Sequence, residues 1–404
     1  MTKRFLISRD NRFFIAQITF LLALLTSLSP FATDTYIPAL PAMSDFFGVP
    51  INLLEVSLTV YFIGVAVGQF FGGPLSDSFG RKKVALSGVL LFSISSLLAI
   101  FITDVRILWL LRFIQAIGGG AASVVNMAFV RDWFEGKDVA RISSLIGMIM
   151  MLAPLAAPVI GSFLLLSLGW KSIFVFMSAV AMLTFFLFIL FMPESRHPQH
   201  ITHRLTATQL IGSYRKIFSS PKAVALVLAN SFAVAGMFVF LTGSSFLYIG
   251  FFKVDVSLFP IYFGANVVMN VLLTFLNFRL VKTIEPAKIL HVGLLLQLVS
   301  GLLLFFAVRA AEPSLWLVFL LMVSFIGSLG LIFSNTVALV INQFHEISGS
   351  ANAVIGVIRF AFSGAVGSLL AVFHTGDLIP MGTIMAACTL MAYLLFTASR
   401  FARH

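Results

Sequence analysis

The sequence predicts an all-α polytopic membrane protein with twelve transmembrane helices, and three observations support this fold class. The 404 residues are 60% hydrophobic, with a mean hydropathy of +1.06, whereas soluble domains are roughly 45–50% apolar. Apolar stretches near the roughly 20 residues that span a bilayer as a helix recur along the chain. Runs such as VALSGVLLFSISSLLAIFI lack the two-residue alternation of a transmembrane barrel.

The spans fall into two sets of six, separated by the longest polar stretch of the chain. The first run is too long for a removable signal peptide and predicts a retained helix. The twelve spans are expected at residues 13–36, 51–75, 83–103, 106–131, 141–167, 170–192, 222–250, 257–281, 287–308, 313–341, 348–372 and 378–398. The sequence therefore predicts an N-terminal six-helix half at 1–192, a cytoplasmic linker at 193–221 with a surface helix around 206–218, and a C-terminal six-helix half at 222–404.

The positive charges predict the orientation, because cytoplasmic loops carry an excess of Lys and Arg. With the N-terminus in the cytoplasm, 20 of the 26 Lys and Arg residues fall on the inner side. The other six are Arg106, Lys171, Lys253 and Arg309 on the outer side, and Arg112 and Arg359 inside predicted spans. Both termini are therefore expected in the cytoplasm, and the net charge of +11 needs no nucleic-acid partner.

Other function classes lack a signal in the chain. The single cysteine, Cys388, excludes a disulfide framework and a cysteine-based metal site. No paired carboxylates, metal-ligand cluster or nucleophile–base set is recognisable, so neither a metal nor an enzymatic activity is expected. No soluble domain is attached that would suit a sensor.

The turn between the second and third spans, GGPLSDSFGRKKV from residue 72, carries the most specific motif. Its glycines permit a tight turn, and a lone acid precedes a basic cluster. An ordinary positive-inside turn would also be basic, but the spacing G-x-L-x-D-x-x-G-R-K resembles the signature loop of the major facilitator superfamily. The matching residues are Gly73, Asp77, Gly80, Arg81 and Lys82.

This resemblance implies a fold of two six-helix halves around a central cavity, and a latch between the halves. The implied partner of Asp77 is the start of helix 11 near 348–350, where an anion at a helix N-terminus gains roughly 0.3–1 kcal/mol. Arg81 is expected to pair with Asp132 at the cytoplasmic end of helix 4.

Helix 4 contains a buried charge in LWLLRFIQAIGGGAASVV, because Arg112 lies about 9 Å into the span at 1.5 Å per residue. A snorkelling arginine is the alternative. The pattern R-x-x-Q, completed by Gln115, resembles the helix-4 motif of drug:proton antiporters, although Ala116 stands where that motif usually has Gly.

Helix 5 carries Pro154 and Pro158 one turn apart among small residues that include Gly161. Prolines kink a helix, and small residues allow close helix packing. The stretch resembles the antiporter motif of exporting family members, with Ala153 in place of an expected Gly. A close-packed helix without directional meaning is the alternative reading.

From about residue 15 to 398 the chain resembles the Bcr/CflA-type drug-resistance transporters, through TDTYIPALP, GMFVFLTGSSFLYI and the helix 10–11 stretch. This resemblance implies a proton-driven exporter of antibiotics and other small molecules, which works by alternating access in a bacterial inner membrane. The resemblance implies no cofactor, and a monomer that takes protons and a small-molecule substrate. The alternatives are a proton-coupled uptake symporter of the same fold and an exporter of a specific metabolite such as a siderophore, peptide or amino acid.

Proton-coupled transport requires a side chain that gains and loses a proton inside the protein. Asp34 is the one carboxylate that we place inside a span. Our hypothesis is that Asp34 and Arg112 face one another across the cavity of the first half, with the alternative that Asp34 caps the outer end at the surface. The polar residues expected to line the substrate cavity are Gln115, Asn126, Tyr248, Asn266, Asn335 and Arg359. A structural role for Arg359, bonded to carbonyls, is the competing interpretation.

Overall fold

A computed structural model of the protein describes residues 12–134, 137–195, 218–341, 343, 348–373 and 375–401. Within these residues the regular structure is helical, and no strand is present. The surface helix predicted around 206–218 falls, up to residue 217, outside the described residues.

Twelve long helices and one short helix make up the described chain. They are α1 Arg12–Asp34, α2 Leu40–Phe47 (the short one), α3 Ile51–Phe79, α4 Arg81–Leu98, α5 Val105–Trp133, α6 Lys137–Leu168, α7 Lys171–Phe191, α8 Pro221–Ser245, α9 Phe259–Leu280, α10 Pro286–Ala307, α11 Leu315–Ile341, α12 Ser348–Val372 and α13 Ile379–Phe401. The twelve long helices predicted from the apolar runs are thus confirmed. A π-helical turn, Phe246–Phe251, extends α8 beyond its last α-helical residue.

The first predicted span ends earlier than expected as a regular α-helix. After Asp34 the chain makes a 3₁₀ turn at Ile37–Ala39 and re-enters an α-helix at Leu40. Pro38 lies in this turn and Pro41 lies in the first turn of α2, where the missing N–H of proline costs no helical hydrogen bond. The prolines therefore interrupt the helix without ending the apolar segment.

Ten stretches are long and apolar enough to cross a membrane, judged by length and composition. They are Ile15–Phe47, Ile51–Phe79, Val105–Val130, Lys171–Phe191, Pro221–Phe251, Phe259–Leu280, Pro286–Ala307, Leu315–Val340, Ile355–Val372 and Ile379–Ser399. Helix α4 begins with three basic residues, RKK. In α6 the apolar stretch among the described residues is the shorter Leu152–Leu168. The chain is a multi-pass membrane protein.

The chain folds into two compact units. One contains Met1–Tyr36 and Ile63–Thr206, and the other contains Ile37–Phe62 and Ala207–His404, so the boundary falls inside α3. In the first unit α4 packs on α5 and α7, and α1 packs on α5, α6 and α7. In the second unit α8 packs on α11, α12 and α13, and α10 packs on α11 and α13.

Helix packing in the first unit depends on small residues. A Cβ at Gly64 of α3 would lie 2.7 Å from the Cβ of Ala116, and a Cβ at Gly72 would lie 2.7 Å from the Cα of Ala121. Small residues at four-residue spacing let two helix backbones approach closely. The segment of α3 after Phe62 therefore packs directly on α5, which carries Arg112.

Candidate functional site

The C-terminal turn of α1 is held by a buried arginine. Arg112 of α5 is 1% exposed, donates from one terminal nitrogen to the carbonyl of Ala32 at 2.9 Å, and places its guanidinium 4.6 Å from the ring centroid of Tyr36. The N–H of Tyr36 bonds to Thr33 instead of Ala32. Since the last carbonyls of a helix lack intrahelical donors, Arg112 acts as a cationic cap for α1.

Asp34 lies in the same turn and is buried, with 5% of its surface exposed. Its Oδ1 accepts a hydrogen bond from the Thr33 hydroxyl at 2.7 Å. Among the described residues no ion pair joins Asp34 to Arg112; the guanidinium reaches the backbone two residues earlier, at Ala32. Asp34 and the acceptor of Arg112 thus belong to the same turn of α1, and a direct pairing of the two charges stays a prediction.

Gln115 and Asn126 both tie α5 to neighbouring helices. Gln115 accepts from Arg112 at 2.6 Å and donates to Ser96 of α4 at 2.6 Å, so it also orients the guanidinium. Asn126 donates to the Leu22 carbonyl of α1 at 3.0 Å and to the Thr26 hydroxyl. These contacts are interhelical bridges, and whether either side chain reaches a substrate stays a prediction.

Helix α6 approaches the same turn of α1 through Gly161. A Cβ at this glycine would collide with the backbone of Thr35. Pro154 and Pro158 lie inside α6, about two turns and one turn before the contact, respectively. Tyr36, two residues after the end of α1, completes the cluster, with its ring in edge-to-face contact with Phe174 of α7 at 5.7 Å. The end of α1 is therefore enclosed by α5, α6 and α7.

The signature turn joins α3 to α4 through Gly80, whose φ of 105° favours glycine. Gly73 lies inside α3, and a Cβ there would meet nothing within 4 Å. Arg81 contacts Asp77 at 2.7 Å and Asp132 at 3.3 Å, with 10% of its side chain exposed against 53% and 27% for the two acids. The side chains at 348–350, the expected partners of Asp77, lie outside the described residues.

Glu194 completes this turn and was missed by sequence reasoning. Its two carboxylate oxygens accept the backbone N–H groups of Arg81 at 2.9 Å and Lys82 at 3.0 Å. Carboxylates are stabilising at helix N-termini, where backbone donors lack partners. Lys82 in turn donates to the Ile189 carbonyl at 2.9 Å. The sequence did contain a signal for this cap, namely an acid directly after the last apolar run of the first half.

Tyr248 and Asn266 are two buried polar residues of the second unit. Tyr248 lies in the π-helical turn, and its ring centroid is 5.2 Å from that of Tyr262. Its hydroxyl finds no hydrogen-bond partner among the described residues. Asn266 donates to the Tyr262 carbonyl at 2.8 Å, while its own oxygen accepts no bond in this part of the chain.

Asn335 and Arg359 have different environments. Asn335 of α11 donates to the side-chain oxygen of Asn277 at 2.7 Å, which bridges α11 to α9. Arg359 of α12 lies over two rings, 4.6 Å from the centroid of Phe333 and 5.0 Å from that of Phe360. A cation over aromatic faces is stabilised by the ring quadrupole. A substrate contact for either residue stays a prediction.

A second buried acid corrects the expectation that Asp34 alone lies inside a span. Glu55 is in the second turn of α3, inside the candidate span Ile51–Phe79, and is 0% exposed. Glu55 falls within the predicted span 51–75, and the structure buries its side chain.

Metal binding has no support among the described side chains, where no group of three or more His, Cys, Asp or Glu could hold an ion.

Comparisons with known proteins agree with the sequence motifs. A sequence profile of the Major Facilitator Superfamily matches residues 22–368. The bicyclomycin resistance protein homolog of Haemophilus influenzae is 31% identical, over 93% of this chain and 94% of its own length. The chloramphenicol resistance protein CraA of Acinetobacter baumannii is 28% identical, over 68% of this chain and 66% of its own length.

Among solved structures, the partially occluded, inward-open xylose transporter XylE from E. coli superposes with a TM-score of 0.75. The match covers 95% of this chain and 97% of that chain, at 17% sequence identity. At this identity the likeness concerns the fold alone.

Proposed function

The chain belongs to the major facilitator superfamily, and from this premise we propose that it exports small molecules across a bacterial inner membrane in exchange for protons. Membership of the family makes the chain a membrane transporter and not an enzyme. The observation that carries the proposed direction and substrate class is the near full-length similarity to a bicyclomycin resistance protein homolog. The similarity to a chloramphenicol resistance protein supports the same assignment.

The proton is assigned to Asp34, because it is a buried acid in the turn that Arg112 caps. When Asp34 is ionised, its charge offsets the guanidinium in a low-dielectric environment. When Asp34 takes up a proton, this offset is lost, while the hydrogen bonds of Arg112 to Gln115 and to the Ala32 carbonyl remain. We propose that this change in field at the end of α1 couples protonation to substrate release.

The signature turn is assigned the role of a conformational latch. Asp77 is half-exposed and pairs with Arg81, whose side chain is largely buried. In the proposed latch, Asp77 exchanges Arg81 for the N-terminus of α12 at Ser348 during transport. Arg81 keeps Asp132, and Glu194 keeps the start of α4 fixed while the exchange occurs.

We further propose that α4 and α6 cross the membrane together with the ten stretches that satisfy length and composition. Twelve crossings would put both termini on the same side of the membrane, and the excess of Lys and Arg on that side favours the cytoplasm. The expected arrangement is two six-helix halves around a central cavity, with the functional unit a monomer and the proton gradient as the energy source.

Drug susceptibility and vesicle transport test the proposed function together. Expression in a pump-deficient bacterial host is expected to raise the inhibitory concentration of bicyclomycin or chloramphenicol, the drugs named in the relatives. Inverted vesicles acidified inside should lose part of their pH gradient when a transported drug is added outside. Unchanged susceptibility to a broad drug panel would favour export of a specific metabolite. Drug-induced movement of protons in the opposite sense would indicate a symporter.

A further inference from the structure

Glu55 is the least compensated acid of the described chain. It is fully buried, and neither of its carboxylate oxygens has a hydrogen-bond partner among the described residues. An isolated carboxylate in an apolar environment is so costly that such a group takes up a proton rather than remain charged. The proposed function assigns no role to this residue.

The face of α3 that carries Glu55 is polar and packs on α12 and α8 within the second unit. Asn52, Glu55 and Thr59 lie on this face, because residues three and four apart are neighbours on a helix. Asn52 donates to the carbonyl of Ala371 at 3.2 Å. One turn earlier in α12, a Cβ at Gly367 would lie 3.7 Å from the Thr59 hydroxyl oxygen and 3.6 Å from that of Thr242 in α8.

The polar groups around Glu55 include acceptors that lack donors. The side-chain oxygens of Asn52, Thr59 and Thr242 have no partner among the described residues. An amide oxygen can only accept, so the oxygen of Asn52 requires a donor from a neighbour. Protonated Glu55, three residues from Asn52 on the same helix face, carries one O–H donor, whereas ionised Glu55 carries acceptors alone.

The cationic side chains of α8 and α12 lie far from this face of α3, and the one in α12 contacts aromatic rings. Arg359, the charged residue of α12, precedes Gly367 by eight residues, about 12 Å along the helix axis, and lies over Phe333 and Phe360. Lys222, the charged residue of α8, precedes Thr242 by twenty residues, about 30 Å along the axis. Neither therefore replaces a proton on Glu55.

We propose that Glu55 is a proton-binding site of the second unit, separate from Asp34. The site is a neutral carboxylic acid while α3, α8 and α12 enclose it. When the face opens to water, the O–H bond breaks, the proton passes to water and the carboxylate becomes hydrated. The chain thus contains two carboxyl groups, one in each compact unit, that titrate during transport.

Infrared spectroscopy of the full chain in lipid nanodiscs tests this proposal without a substrate. The Asp34→Asn background removes the other buried acid, and sodium-free buffer at neutral pH excludes a competing cation. The expected result is a carbonyl band of a protonated carboxylic acid that is absent in Glu55→Gln. The band should persist in Asp45→Asn, which removes an exposed acid of α2 in the same unit. Intrinsic tryptophan fluorescence checks that each variant is folded.

Two results would overturn the assignment. The first is an unchanged acid band in folded Glu55→Gln protein. The second is a Glu55 side chain that is ionised at neutral pH. Carboxylate bands of Glu55 that respond to added sodium would show that this ionised side chain binds a metal cation instead of a proton. Glu55→Asp keeps the acid and should retain a shifted band. Because no transport is measured, failure of drug export leaves this test valid, and the reverse also holds.

Discussion

Replacement of Arg112 by lysine should loosen the end of α1 although the positive charge is retained. The guanidinium makes hydrogen bonds at 2.9 Å to Ala32 and 2.6 Å to Gln115 while lying 4.6 Å from the centroid of Tyr36. A lysine ammonium lacks the planar fork that serves these three partners together. We expect Arg112→Lys to keep one acceptor and to lose the other, along with most of the ring contact.

The magnitude follows from these contacts. A hydrogen bond between membrane helices contributes on average about 0.6 and at most about 1.7 kcal/mol, and a cation–π contact contributes about 0.5–2 kcal/mol. The expected loss is therefore about 1–3 kcal/mol. At about 2–4 °C per kcal/mol for a unit of 150–250 residues, the melting temperature of the first unit should fall by about 2–12 °C.

Thermal unfolding followed by tryptophan fluorescence suits this measurement, because Trp109, Trp133 and Trp170 all belong to the first unit. The matched control is Arg106→Lys, the same substitution at an exposed position in the first turn of α5. Arg112→Gln should destabilise the unit further, because it shortens the side chain and removes the cationic cap. Equal melting temperatures for Arg112→Lys, Arg106→Lys and the unmodified chain would refute the capping role of Arg112.

Two further substitutions test neighbouring parts of the account. Glu194→Gln removes an anionic cap from two backbone donors of α4 and should lower the free energy of unfolding by about 0.5–2 kcal/mol. The control is Glu312→Gln, at an exposed acid of the second unit. Identical melting temperatures for the two variants would contradict the capping role of Glu194. Gly161→Ala places a Cβ against the Thr35 backbone and should cost about 1–3 kcal/mol. Gly73→Ala, where a Cβ meets nothing within 4 Å, should leave folding unchanged. A stable, well-expressed Gly161→Ala variant would show that α6 and α1 are not in tight contact.

The helices could be predicted from the sequence because each depends on a local property, the length of an apolar run. The fold class and the number of long helices follow from that property alone. The interruption after Asp34 was harder to place, because Pro38 and Pro41 suit either the end of a span or the first turn of a new helix. The assignment of Ile37–Phe62 to the second unit depends on contacts distant in sequence, and nothing local indicates it.

The candidate site was predicted in its composition more than in its contacts. Arg112, Gln115 and Gly161 do meet around the end of α1, as members of one enclosed cluster. One acceptor of Arg112 is the backbone carbonyl of Ala32, and the charge pattern of a sequence does not indicate which backbone carbonyl a guanidinium contacts. Glu55 and Glu194 were missed for opposite reasons, since one is buried at a helix start and the other bonds to a helix more than a hundred residues earlier.

Proton movement in inverted vesicles containing the Asp34→Asn variant tests whether Asp34 carries the transported proton. The unmodified chain should release protons from acidified vesicles when a transported drug is added, and Asp34→Asn should release none while it keeps its expression level and melting temperature. Asp45→Asn, at an exposed acid, should behave like the unmodified chain. Full drug-induced proton release by folded Asp34→Asn protein would contradict the assignment of the transported proton to Asp34.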